Sequence, residues 1–222
     1  SASRWKAERP RPRPLGLSLA ADDSGSPAIG KYMGQATVSW YSPLGLNDLA
    51  YISLGQDIGH RQPNERGNHS QTLHYSLPWA YWLLAVSSSR NNYRQTVVGA
   101  FQSYLYSGNS QTHDIQLGRT LYRDANAKVS LRLKAFSRES RNFIDDAEVF
   151  VQRRHTAGWE AALLQTRQWQ ALSTELELSY RRGTGAFGAL PAPEELFGEG
   201  SSRMQVGTAH LSLQWPLSIV TG

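Results

Sequence analysis

The 222 residues contain no cysteine, which excludes a disulfide framework, thiolate metal ligation and a cysteine nucleophile. Also missing is any run of the eighteen or so consecutive apolar residues that a membrane helix needs. A mean hydropathy of −0.48 argues the same way, against a helical membrane protein. It leaves a β-barrel open, because a barrel carries its membrane signal in alternation rather than in runs. Catalytic spacings are scarce as well. The histidines His60, His69, His74, His113, His155 and His210 form no H-E-x-x-H or other paired ligand spacing, and no G-x-S-x-G supplies a nucleophile. The adjacent acids Asp22-Asp23, Asp145-Asp146 and Glu194-Glu195 fall in predicted loops, where neighbours on extended backbone point apart and make poor acid/base dyads. No catalytic, metal or cofactor site is expected. Gly183-Thr184-Gly185-Ala186-Phe187-Gly188 has the letters of a dinucleotide fingerprint, but Pro191 and Pro193 follow at once. No helix can open there to receive a phosphate on its N-terminal amides, so this reads as a Gly-rich loop.

What the chain does have is a period of two. Leu15, Leu17 and Leu19 alternate with small residues, as do Ala36, Val38 and Trp40. The phase returns at Ala50, Ile52, Leu54; Leu73, Tyr75, Leu77; Leu84, Val86; Ile115, Leu117; Val129, Leu131, Leu133, Ala135; Trp159, Ala161, Leu163; Leu176, Leu178, Tyr180; and Ala209, Leu211, Leu213, Trp215. About ten strands follow, apolar on one face. The opposite phase carries Thr72, His74, Arg132, Lys134, Glu175, Glu177, Arg181 and His210.

A soluble sandwich alternates too, and a carbohydrate-binding module of that kind is the alternative reading, with an outer-membrane barrel enzyme as a second. The connections argue for a membrane barrel. Short turns are predicted near Pro43 to Asp48, Pro78 to Tyr81, Arg123 to Ala127 and Thr166 to Ala171. Long polar stretches are predicted at Asp22 to Lys31, Asp57 to His69, Asn91 to Gln111, Arg138 to Ala147 and Arg182 to Arg203. Outer-membrane barrels show that sidedness. Trp40, Tyr41, Tyr51, Trp79, Tyr81, Trp82, Tyr122, Trp169 and Trp215 fall beside the short turns and form a predicted interfacial girdle. In this reading Leu131, Leu133, Leu176, Leu178, Leu211 and Leu213 face lipid, while the eight polar residues named above line a water-filled lumen.

The basic balance, 23 Lys+Arg against 18 Asp+Glu and a pI near 9.6, prompts a test for nucleic-acid binding. Arg132, Lys134, Arg153-Arg154 and Arg181-Arg182 are interrupted by Glu148, Glu160, Glu175 and Glu177. No basic stripe results, and no nucleic-acid partner is expected. Residues 1–14, which end in Arg9-Pro10-Arg11-Pro12-Arg13-Pro14, read as a basic Pro-rich boundary segment. Residues 15–222 read as the barrel domain, and the chain as part of a longer protein.

Several strings carry a resemblance. Arg11-Pro12-Arg13-Pro14 leading to Ala21-Asp22-Asp23-Ser24-Gly25-Ser26, the turn Pro43-Leu44-Gly45-Leu46-Asn47-Asp48, Ser140-Arg141-Asn142-Phe143-Ile144-Asp145-Asp146 and Ser179-Tyr180-Arg181-Arg182-Gly183-Thr184-Gly185 resemble the barrel of the two-partner secretion transporters. These are the filamentous haemagglutinin transporter and haemolysin activator group, or TpsB proteins, of the Omp85 superfamily. Ser42 stands where that group's turn has Asn. The resemblance implies an all-β, antiparallel up-and-down transmembrane barrel, of which this chain holds about ten strands out of a sixteen-stranded whole. It further implies an outer-membrane location, two preceding POTRA domains, and ATP-independent secretion of a large exoprotein, an adhesin or haemolysin. The group's inward loop with Arg-Gly-aromatic has no counterpart here.

Overall fold

The computed structural model describes residues 14–23, 30–59, 66–198 and 200–215. The basic segment before Pro14, His60, most of the predicted loop at Asp22 to Lys31, part of that at Asp57 to His69, and the residues after Trp215 lie outside it. The strands are β1 (Leu15–Asp22), β2 (Met33–Tyr41), β3 (Leu49–Asp57), β4 (Gly67–Trp79), β5 (Trp82–Val98), β6 (Ser103–Arg123), β7 (Ala127–Ile144), the two-residue β8 (Ala147–Glu148), β9 (Arg154–Trp169), β10 (Leu172–Thr184) and β11 (Gln205–Gln214). All belong to one antiparallel meander in chain order, except that β8 folds back on β7 and β9 then pairs with β7.

Register keeps the two phases apart across the whole sheet. One row runs Leu17, Val38, Ile52, Leu73 on β1 to β4. Another runs Leu77, Leu84, Leu117, Leu133, Ala161, Tyr180 on β4 to β10. A slip of one residue anywhere would exchange the faces of every strand beyond it. A single irregularity, at Leu121 between β6 and β7, brings Tyr122 opposite Val129 and keeps it on the apolar face.

This sheet has no hydrophobic core of its own. Among the described residues the buried apolar side chains are Ala85, Ala157 and Ala162, all small. Leu17, Leu73, Leu133, Leu211 and Leu213 are exposed. A soluble sandwich would cover that face with a second sheet, and every described strand lies in the first.

The short turns fall where they are predicted, at residues 42–48, 80–81, 124–126 and 170–171. Two of the long polar stretches need correction. Asn91 to Gln111 is almost wholly strand, with β5 running to Val98 and β6 starting at Ser103. Arg138 to Ala147 continues β7 to Ile144 and turns tightly at Asp145 and Asp146, both with positive φ, the geometry of a two-residue hairpin. Alternation vanishes where both faces meet water, yet backbone pairing continues, so a reading by apolar phase ends these strands too early.

Two short turns are tied down by an aspartate. Asp48, 2% exposed, accepts from the Leu44 and Leu46 amides and from the Tyr75 hydroxyl at 3.0 Å. Asp124 accepts from the Asn126 and Ala127 amides and from the Tyr122 hydroxyl at 2.6 Å. Burial opposes ionisation of Asp48, but its own amide, those of Leu46 and Leu44 and the Tyr75 hydroxyl outweigh it and hold the carboxyl below the ordinary 3.8. The stabilisation from Asp48 is therefore present above the unfolded-state pKa and is lost as pH falls through the lower folded-state value. We predict that Asp48→Asn lowers stability near neutral pH and that its deficit against wild type closes in acid. Acid unfolding of the detergent-solubilised full-length protein, read by gel mobility, measures this. A deficit unchanged down to the lowest pH reached would mean that the charge on Asp48 contributes nothing.

Candidate functional site

The polar face holds the charged residues that sequence reasoning singles out. Thr72 on β4 stands across from Ser53 and Ser89, and His74 across from Tyr51 and Ser87. The His74 ring stacks on Tyr51, with centroids 4.8 Å apart, and its Nδ1 lies 2.9 Å from the Ser87 hydroxyl. Tyr51 thus belongs to this face, Tyr41 shares its phase, and both leave the predicted girdle.

Further along the sheet the face becomes ionic. Glu160 on β9 stands between Lys134 on β7 and Arg181 on β10. The Arg181 guanidinium donates to Glu160 through Nε at 2.8 Å and Nη2 at 2.6 Å, and Arg132 Nη2 lies 3.8 Å from the same carboxylate. Arg132 also donates to Glu177, and Lys134 Nζ is 4.0 Å from Asp114. Arg181 further covers the Phe136 ring at 5.3 Å.

Four of the eight polar residues, Arg132, Lys134, Glu177 and Arg181, are drawn into this network. His210 stands opposite Glu177 in register. Glu175 shares the phase but is exposed, with no ion pair among the described residues. Thr72 and His74 sit apart, on the other half of the sheet. Sequence reasoning counts Glu160 only as an interruption of basic residues and passes over Asp114. Their phase marks both, since Glu160 lies between Trp159 and Ala161, and Asp114 precedes Ile115.

On the opposite face Leu131, Leu133, Leu176, Leu178, Leu211 and Leu213 share one phase. The same phase carries Trp40, Trp79, Trp82, Tyr122, Trp169 and Trp215, all at the short-turn end of the sheet. Arg119 lies over the Trp82 ring at 4.9 Å and Arg167 over Trp169 at 4.6 Å. An aromatic row flanked by arginines suits the boundary between hydrocarbon and headgroups.

A family model described as haemolysin secretion/activation protein ShlB/FhaC/HecB matches residues 2–222. The chain belongs to this family. Among relatives of the ShlB/FhaC/HecB family, the outer membrane transporter CdiB-2 of Burkholderia pseudomallei strain 1026b is 26% identical over 211 residues, 95% of this chain and 36% of the relative. The hemolysin transporter protein HpmB of Proteus mirabilis is 33% identical over 89 residues, 40% of this chain and 16% of the relative. In solved structures, CdiB from Escherichia coli superposes with a TM-score of 0.84 at 22% identity, covering 98% of this chain and 39% of that one. CdiB from Acinetobacter baumannii gives 0.74 at 26%, covering 94% and 36%. The fold is thus that of an outer-membrane β-barrel, held here as an open run of its strands, and its place is the bacterial outer membrane. The chain spans about a third of the length of the relatives it matches.

The ion pairs differ in exposure. Arg132 and Glu177 side chains are 27% and 37% exposed and Glu160 only 11%. In the full-length protein refolded into lipid, a double-mutant cycle of Arg132→Gln with Glu177→Gln should couple by no more than about 1 kcal/mol and fade with salt. Glu160→Gln, which takes the counter-charge from two arginines at once, should lower stability more than Glu177→Gln does. A coupling of several kcal/mol that ignores salt would mean that the face is dry.

Proposed function

We propose that this chain is the wall of a protein-conducting pore, through which the whole protein secretes a large exoprotein, adhesin- or haemolysin-like, by two-partner secretion and without ATP. The observation that carries this reading is the inequality of the two faces. One is apolar, exposed and uncovered; the other bears an ion-pair network open to water. Leu131, Leu133, Leu176, Leu178, Leu211 and Leu213 meet lipid in this reading. Thr72, His74, Arg132, Lys134, Glu175, Glu177, Arg181 and His210 line the lumen. The names of the relatives, which are outer membrane transporters and hemolysin transporters, support the assignment.

A lumen of mixed charge suits an extended polypeptide in transit. It hydrates the chain and offers many weak contacts of either sign, none deep enough to hold it. Chemistry on the client is not part of this role. The wall conducts, and the driving force comes from elsewhere than nucleotide hydrolysis.

The test is made in the full-length protein, produced together with its exoprotein. Leu133 lies four residues from Val129, which pairs with Tyr122 of the aromatic row. That places it about 10 Å above the row for a rise of about 3.3 Å per residue and a tilt near 40°. Leu133→Arg is then near the bilayer middle and should cost about 2–4 kcal/mol of assembly, with exoprotein lost from the medium. Lys134→Glu should assemble normally and shift single-channel selectivity toward cations. Equal tolerance of both substitutions would reverse or abolish the assignment of faces.

A further inference from the structure

The apolar phase does not stay apolar over the full length of β5. After Trp82, Leu84 and Val86 it continues as Ser88, Arg90, Asn92 and Arg94. With a rise of about 3.3 Å per residue and a tilt near 40°, Arg90 stands about 20 Å and Arg94 about 30 Å above the Trp82 level along the membrane normal. The apolar band of an outer-membrane barrel is about 25 Å tall. The two arginines therefore bracket its upper boundary, on the side away from the short turns, which is the outer leaflet.

Between them the face is hollowed, with a volume of about 560 Å³. Arg94 pairs across to Gly67 on one side and Ser107 on the other, while Asn92 pairs to His69 and Asn109. Gly67 and Ser107 leave room where larger side chains would fill it, and the space at the Gly67 Cβ position is open to 4 Å. The floor is thus amide, hydroxyl and the His69 imidazole, flanked by guanidinium groups and the Phe143 ring. Arg132, Arg141, Arg153 and Arg181 are each paired with a carboxylate. Arg90 and Arg94 have no such partner among the described residues. Arg66 reaches the rim with a contact of its own. Asp57 also lines the hollow, from the opposite phase of β3, with Oδ1 on the Gly59 amide at 3.0 Å. Glu139 shares the outward row of Arg90 two strands away and is held by Arg141.

We propose that this hollow seats the phosphorylated disaccharide headgroup of an outer-leaflet glycolipid, with Arg90 and Arg94 each meeting a phosphate and Asn92 and Asn109 the sugar hydroxyls. The Cα atoms of the arginines are about 13 Å apart along an extended strand, a span for two phosphates on one disaccharide rather than a single one. Guanidinium groups suit that task, since they bind phosphate in a forked geometry and shed water readily. The inference rests on the reading that the apolar face meets lipid.

The test uses the full-length protein, purified in detergent and titrated with bisphosphorylated lipid A while retained lipid is read by native mass spectrometry. Arg90→Gln with Arg94→Gln should leave assembly unchanged and weaken lipid A binding by about 30-fold, near fivefold for each single change, if each arginine contributes as basic residues at membrane surfaces do. Equal binding of dephosphorylated lipid A or of phosphatidylglycerol would overturn the proposal. So would full displacement by millimolar inorganic phosphate, which would reveal a plain anion site, or unchanged affinity in the double variant. If lipid A fails to bind while Leu133→Arg still blocks assembly, the headgroup site falls and the orientation of the faces stands.

Discussion

Everything in this sheet follows from the need of each backbone amide and carbonyl at membrane depth for a partner within the protein. Lipid offers none, and each unpaired group costs several kcal/mol. A strand satisfies that need only through its neighbours, so β2 to β7, β9 and β10 are each hydrogen-bonded on both sides. β1 and β11 are the two edges of the described sheet, and the solved barrels that it matches extend well beyond the matched part. Pairing also locks register, and register locks the faces. That is why one phase of leucines can be carried across ten strands without a core to hold them.

The missing core changes the meaning of exposure. In a soluble domain, exposed Leu17, Leu73, Leu133, Leu211 and Leu213 would be an aggregation hazard. In the proposed wall they are the surface that lipid covers, and tightness is required elsewhere. In the same proposal the opposite face stays wet while its charges balance, and Glu160 does this locally between Arg132 and Arg181. The turns follow the same economy of partners. Asp48 and Asp124 each gather two amides and a tyrosine hydroxyl, so side chains near the aromatic row also close the turns beneath it.

Much of this is legible in the amino-acid sequence. The phase of the apolar residues gives ten strands, and the four short turns are marked by the breaks between them. The polar phase brings Arg132, Lys134, Glu177 and Arg181 together because period two leaves a side chain only two directions. Three things were hidden. Strand ends beyond the apolar band were hidden because alternation needs a difference between faces, and Asn92 opposite Asn109 offers none. The neighbours of Glu160 were hidden because cross-strand partners depend on register, and register depends on turn geometry. The displacement of Tyr51 from the girdle was hidden because an aromatic near a strand end reads the same on either face until its phase is counted against Ile52.

The unequal strand lengths carry a last consequence. β2 and β3 have 9 residues each, close to the 9–11 that a tilted strand needs to cross hydrocarbon. β5, β6 and β7 have 17, 21 and 18. The surplus stands beyond the band as a three-stranded ribbon wetted on both faces, and such a ribbon cannot be held by apolar burial. Its bonds are polar. The Tyr93 hydroxyl donates to Asn142 at 3.0 Å, Tyr106 to Gln152 at 2.7 Å, and Asn142 to the same Gln152 oxygen at 2.9 Å. Arg153 forks onto Glu148 with two bonds of 2.6 Å, and Asp145 receives the Leu105 amide at 2.8 Å. These partners come from β5, β6, β7, the turn after β7, β8 and the segment that follows it, so the ribbon is cross-braced rather than merely zipped. A braced ribbon keeps its register outside the membrane, and through continuous strands it holds the register of the Asp114, Lys134 and Glu160 rows below.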